Sequence, residues 1–180
     1  DGNYCAFIGR ITQIKRPDRF LDVVAEIKSR GVELHFIVAG AGELLQYCED
    51  RAAAENLPVT FLGWREDVEL VLAASDFVLL NSDNEGTPLI LIQAGMVGIP
   101  VVATNVGSTN EIVVNGETGL LTDLSVTEIS DAVAKLATDS TLRAKMGAAG
   151  KEYTMARYGV SRLVEDHQYL YQELITKTLK

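Results

Sequence analysis

The stretch from Phe77 to Ala103, FVLLNSDNEGTPLILIQAGMVGIPVVA, decides the fold. Its first apolar run, Phe77 to Leu80, stops at the polar residues Asn81 to Glu85. Gly86, Thr87 and Pro88 then open a second apolar segment that ends before Gly98 and Pro100. The order is strand, loop, helix, strand, and strands that are apolar throughout belong in a parallel sheet covered on both faces.

The polar residues therefore lie at the carboxyl end of a buried strand and at the start of a helix, where open parallel sheets bind ligands. Pro88 is expected in the first helical turn, where the N–H it lacks has no intrahelical partner. The free amides around it and the positive end of the helix dipole make an anion site. An acid beside such a site is repelled unless it reaches past the anion to hydroxyls. Glu85 is accordingly expected to bind a sugar.

Towards the amino terminus, Tyr4 to Ile8 reads as a strand ending at Gly9, followed by the polar loop Arg10 to Arg16. Pro17 and Asp18 open a helix with Phe20, Leu21, Val24 and Ile27 on one face, closing near Gly31. Leu34 to Ala39 is a strand, Gly40 to Gly42 a tight turn and Glu43 to Glu55 a helix. Val59 to Leu62 is a third strand, followed by Gly63, Trp64, Arg65 and a short helix over Val68 to Ala74. Towards the carboxyl terminus come a polar turn (Asn105 to Asn110), a brief apolar piece (Glu111 to Val114) and a short strand (Gly119 to Leu121). Ser125 with Glu128 fits a capping box and predicts a helix over Val126 to Leu136. Leu142 to Tyr153 and Leu163 to Leu179 are the last helices, the latter with Leu163, His167, Leu170 and Leu174 along one stripe. Strands alternating with helices predict an α/β domain: a doubly wound parallel sheet of about six strands with helices on both faces.

A chain of 180 residues, 47% hydrophobic and 23% charged, suits one domain with a full core. A formal net charge of −9 disfavours nucleic acid as a partner, although a small anion can bind where a few cations are clustered. Cys5 and Cys48 stand at neither metal-ligand nor redox spacing and read as reduced thiols of a cytoplasmic protein. No apolar run approaches the length of a membrane span.

Arg10 and Lys15 share the loop after the first strand and could together neutralise a diphosphate; the alternative is a solvated basic loop. Trp64 and Arg65 could pack on a nucleobase, or Trp64 could simply cover one end of the core. Gly40-Ala41-Gly42 is a weak dinucleotide signal: Leu45 stands where the third glycine belongs, and the turn follows the second strand. Asp83 and Glu85 have spacing that magnesium can use, but the nearby cations and the helix terminus favour a site without metal. His35 and His167 have no acid and nucleophile near them in sequence, and Ser82, Ser108 and Thr109 read as turn formers.

These residues also carry a resemblance. GRITQIKRPDRFLDVV (9–24), FLGW (61–64), the block from Asn81 to Leu121 and YGVSRLVEDHQYLYQELI (158–175) are similar to the carboxyl-terminal, donor-binding domain of retaining glycosyltransferases of the GT-B fold, group 1 (family four). The resemblance implies transfer of a sugar from a UDP- or GDP-type nucleoside diphosphate sugar to an acceptor hydroxyl, without a further cofactor. Arg10 and Lys15 match the pair that holds the diphosphate, and Glu85 matches the acid on the transferred sugar. Gly86, Thr87, Pro88 and Leu89 match the turn near the phosphates, with Gly9, Gly63, Trp64 and Arg65 also on the donor side. Gln93 falls where relatives carry a second Glu that commonly takes the ribose hydroxyls, so that contact either loses its charge or gives way to water.

The resemblance makes residues 1–180 a single nucleotide-sugar-binding domain and one half of an enzyme, inactive alone. The missing amino-terminal domain would bind the acceptor, be the main partner and make any peripheral membrane contact. A non-catalytic nucleotide-sugar-binding module is the alternative. A nicotinamide-dependent oxidoreductase domain is a weaker one, because no acid ends the second strand.

Overall fold

A computed structural model describes residues 3–178. Six strands, β1 (Tyr4–Ile8), β2 (His35–Ala39), β3 (Val59–Gly63), β4 (Phe77–Leu80), β5 (Val101–Thr104) and β6 (Gly119–Thr122), form one sheet in the order β3-β2-β1-β4-β5-β6. Every pairing is parallel, as a chain that returns through a helix after nearly every strand requires.

Period-two alternation explains why both faces are buried. In β4, Phe77 and Leu79 enter one core with Phe7, Phe20, Phe36 and Ile129, whereas Val78 and Leu80 enter the other with Ala6, Leu91, Val101 and Ala103. The first core is roofed by α1 (Pro17–Ser29), α2 (Leu45–Ala54) and α6 (Val126–Thr138), and the second by α3 (Val68–Ala73) and α4 (Leu89–Met96). The short α5 (Thr109–Ile112) replaces the apolar piece expected at Glu111 to Val114. Helix α7 (Ser140–Tyr158) begins on the first core with Leu142 and Met146 and ends on the second with Tyr158.

Two helix starts differ from expectation. Pro17 occupies the first position of α1, but Pro88 is the N-cap of α4, with φ −71° and ψ 96°. The pyrrolidine ring fixes φ alone, and the extended ψ keeps Pro88 outside the helix. At α6, Ser125 Oγ accepts from Glu128 N as a capping box requires, while Glu128 Oε2 accepts from Asp123 N instead of Ser125 N. Asp123 Oδ1 takes the Ser125 amide at 2.6 Å, so half of the box is rerouted.

The last helix, α8 (Val160–Thr178), starts earlier than expected, and the expected end at Leu179 lies outside the described residues. Its stripe is largely open to solvent: Leu163, Leu170 and Leu174 are each about half exposed. No helix among the described residues is long and apolar enough to cross a membrane. Cys5 and Cys48 are both buried and free, and burial is the main cause that pushes the Cys48 thiol up to about 11.

Candidate functional site

From β1 the chain winds towards β2 and β3, and from β4 it winds towards β5 and β6. The two halves part between β1 and β4, and the crevice beyond their carboxyl ends is where such sheets take ligands. The loops after β1 and after β4 form its walls.

These loops are tied together by charge and by backbone. Asp83 N donates to Ile14 O at 3.0 Å, and Asn81 Nδ2 donates to Arg16 O at 2.8 Å. Arg19, almost fully buried on α1, donates to Asn81 O at 2.9 Å and to Asp83 Oδ1 at 2.6 Å. Arg16 bridges Asp18 at 2.8 Å and Asp83 at 3.1 Å. Its backbone is left-handed, with φ 51°, an arrangement that L side chains other than Asn and Asp seldom adopt. The two ion pairs offset part of that strain. Two guanidiniums therefore occupy the carboxylate of Asp83, the residue considered above as a metal ligand.

The network has a pH signature. The bond from Arg16 is the main cause that holds the Asp18 carboxyl below the usual range, against partial burial. For Asp83, burial pushes upwards, but Arg19 and Arg16 outweigh it and the carboxyl is again lowered. A depressed folded-state value means that this stabilisation is complete above the unfolded carboxylate value of about 4 and is lost as pH falls through the folded value. Urea midpoints measured from about pH 5 down to about pH 2.5 are expected to fall more steeply for the native chain than for Asp83→Asn. Parallel curves would show that the network contributes nothing.

Beyond this tie lies the central contact of the crevice: Lys15 Nζ stands 2.5 Å from Glu85 Oε1, with side chains only 17% and 8% exposed. The sequence singles out both residues for different parts of one ligand, and the fold joins them to each other. A lysine ammonium has three donors, so two N–H groups remain after Glu85 is satisfied.

At the same carboxyl edge of the sheet is a cavity of about 350 Å³ lined by Ile8, Gly9, Arg10, Ala39, Gly40, Trp64, Arg65, Val68, Leu89, Ile90 and Gln93, with Lys15 and Glu85 outside its lining. Six of the residues expected at the site thus line one wall or another of a single pocket: Gly9, Arg10, Trp64, Arg65, Leu89 and Gln93. No lining residue carries a carboxylate, although the whole chain has a net charge of −9. Arg10 has no ion-pair partner among the described residues, whereas Arg65 is held by a bidentate pair with Asp67, its Nε 2.7 Å from Oδ1. Trp64 is 69% exposed, which overturns the idea that it closes the core; its ring is free to meet a flat ligand. Gln93 lies about one turn into α4 and lines this cavity.

Gly63, Gly86, Thr87 and Pro88 flank the cavity and do not line it. Gly63 O accepts from Gly40 N at 2.7 Å and so joins the ends of β2 and β3 under the pocket floor. Gly86 and Thr87 are exposed between the Lys15–Glu85 pair and the first turn of α4, and Pro88 is buried beneath them. Sequence reading missed Ile8, Ala39, Gly40, Val68 and Ile90 as pocket wall. A Cβ on Gly40 would overlap the Gly9 carbonyl, a packing fact that the turn signal does not reveal. The two histidines are elsewhere: His35 Nε2 meets Thr60 Oγ1 at 2.8 Å, and His167 Nδ1 meets Leu163 O within α8.

Residues 1–153 match the family described as Glycosyl transferases group 1. The chain belongs to that family. This group 1 transferase chain is 27% identical over 173 residues to N-acetyl-alpha-D-glucosaminyl L-malate synthase of Bacillus anthracis, an alignment that spans 93% of the chain and 45% of that enzyme. It therefore spans less than half the length of this curated relative. The crystal structure of Anabaena Alr3699/HepE in complex with UDP-glucose superposes with a TM-score of 0.85 at 23% identity, over 98% of this chain and 49% of that one. The carboxyl-terminal domain of the group 1 protein LpcC from Francisella tularensis superposes with a TM-score of 0.78 at 24% identity, over 88% of this chain and 87% of that domain. At these identities the structural likeness establishes the fold alone, a Rossmann-like α/β domain.

Proposed function

We propose that this domain binds the nucleoside diphosphate sugar of a retaining glycosyltransferase and that the acceptor is brought by an amino-terminal domain. The observation that carries the reading is that the Lys15–Glu85 pair and a carboxylate-free pocket holding Arg10, Trp64 and Arg65 are both built from loops beyond the carboxyl ends of the same sheet. The nucleoside fills the pocket, its base against Trp64 and Arg65 and its ribose near Gln93. The diphosphate crosses Gly86, Thr87 and the first turn of α4 towards Arg10 and Lys15. The sugar reaches Glu85.

Each residue then has a chemical task. Transfer builds negative charge on the departing diphosphate, and groups already aimed at developing charge are the strongest catalytic device a protein has. Arg10, the two remaining N–H groups of Lys15 and the amides of the α4 amino terminus supply them. Glu85, tethered by Lys15, accepts hydrogen bonds from sugar hydroxyls and fixes the anomeric carbon so that the acceptor arrives on the leaving-group face, a gain in positioning. UDP in the structure of Anabaena HepE supports a UDP donor here, with GDP as the other base to test.

Calorimetric titration of the 180-residue chain with UDP, UDP-glucose, UDP-N-acetylglucosamine, GDP and GDP-mannose tests the reading. Arg10→Ala is expected to weaken the nucleotide and its sugar alike, whereas Glu85→Gln should spare the nucleotide and erase the preference for one sugar. Equal losses for both ligands in Glu85→Gln would refute the role given to Glu85. A charged acceptor should hold the ribose better than an amide, so Gln93→Glu is expected to tighten donor binding by about 1 kcal/mol. Unchanged or weaker binding would place Gln93 away from the ribose. A neutral amide here also keeps open a sensing module without catalysis, which activity of the full-length protein would distinguish.

A further inference from the structure

The backbone that carries Glu85 is held by a loop that lies outside the pocket lining. Between Asp83, anchored to Ile14, and Pro88, buried at the head of α4, the chain passes through Asn84 to Thr87, and the loop between β5 and α5 donates hydrogen bonds to the backbone of this passage. Ser108 N donates to the carbonyl of Glu85 at 3.3 Å, and Ser108 Oγ donates to the carbonyl of Gly86. These carbonyls belong to the two peptides that follow the Glu85 Cα, so their orientation sets the direction of the side chain. Gly107, with φ +53°, packs its Cα so closely that a Cβ would overlap the Glu85 carbonyl oxygen and stand 3.3 Å from Asn84 Oδ1. The clamp is itself fixed to the sheet. Buried Thr109 donates through Oγ1 to Thr104 O at 2.9 Å, and Thr104 Oγ1 donates to Ser82 O at 2.7 Å, which closes a circuit from β4 through β5 back to Glu85.

We propose that Gly107 and Ser108 are positioning residues that set the sugar preference of the site by holding the Glu85–Gly86 backbone, an inference that rests on Glu85 contacting the transferred sugar. The ammonium of Lys15 restrains the carboxylate from the opposite side, at 2.5 Å, so Glu85 is gripped at both its head and its root. Loosening the root lets the carboxylate follow Lys15 without reaching the hydroxyls. The nucleotide, bound in the pocket beyond, should not notice.

The test is the ratio of nucleotide to nucleotide-sugar dissociation constants, measured by calorimetry on the 180-residue chain with UDP and UDP-glucose or UDP-N-acetylglucosamine and with GDP and GDP-mannose. Ser108→Ala is expected to cut the ratio for the preferred sugar by about fivefold while the nucleotide alone moves less than about twofold, and Ser108→Thr, which keeps the hydroxyl, should restore it. Gly107→Ala should act in the same direction; if it fails to fold, the serine series decides. A Glu85→Gln variant that collapses the ratio while both Ser108→Ala and Gly107→Ala preserve it overturns the clamp alone. A Glu85→Gln variant that leaves the ratio intact removes Glu85 from the sugar, and the clamp's role goes with it.

Discussion

Replacing Lys15 by alanine is expected to destabilise the chain by about 2–3 kcal/mol, because it leaves the Glu85 carboxylate nearly buried with no countercharge. Only 8% of the Glu85 side chain meets solvent, so water cannot make good the lost ammonium. The reverse change, Glu85→Gln, should be milder at about 1 kcal/mol, since the more exposed lysine can turn to solvent and the amide oxygen still accepts one bond. The double variant Lys15→Ala/Glu85→Gln should recover most of the loss and end within about 1 kcal/mol of the native chain, because neither charge is then stranded. Urea unfolding at neutral pH measures all three. A Lys15→Ala variant as stable as the native chain would mean that the pair is a loose surface contact, and the account of a tethered Glu85 would lose its physical basis.

The second large effect is structural. Gly147 sits where α7 crosses the loop after α4: a Cβ there would overlap the Gly98 carbonyl oxygen and stand 3.5 Å from Pro100 Cδ. Alanine is the better helix former by about 1 kcal/mol, yet overpacking against backbone costs about 1–3 kcal/mol or more and cannot be relieved by a rotamer change. Gly147→Ala is therefore expected to lower stability by about 2 kcal/mol net. Ala148→Gly, exposed on the same helix, should cost about 1 kcal/mol through propensity alone. Removing a methyl group at 148 should thus hurt less than adding one at 147. The opposite order would show that α7 does not rest on α4 as described. Because α4 carries Leu89, Ile90 and Gln93 into the pocket, displacement of α7 should also weaken nucleotide binding.

Most of the sheet is legible because its strands are mostly apolar, β4 throughout, and because helices begin at recognisable signals, as at Pro17 and Ser125. The boundaries moved where those signals are ambiguous. Proline fits either side of a helix start, and at Pro88 only ψ, which the ring leaves free, settles the matter. The stripe on α8 was legible as a pattern, but no pattern tells whether its cover lies in the same chain. In the crevice, residue types and loop positions picked out Lys15, Glu85, Arg10 and Trp64, and the family resemblance alone added Gln93. Their mutual arrangement was not legible. Lys15 and Glu85 are 70 positions apart, and so is the order of separation between Arg16 or Arg19 and Asp83, so these pairings exist only once β1 and β4 are neighbours. The clamp from Gly107 and Ser108 was hidden for the same reason: Ser108 reads as a turn former, and the turn it helps to form belongs to another loop.

The claim on which the rest depends is that the pocket and the Lys15–Glu85 pair form one continuous donor site. A crystal structure of the chain soaked with UDP or GDP tests it most directly. The account predicts the base against Trp64 and Arg65, the ribose beside Gln93, and the diphosphate over the first turn of α4 within hydrogen-bond reach of both Arg10 and Lys15. A nucleotide bound outside this crevice, or one whose phosphates point away from Lys15, would contradict it.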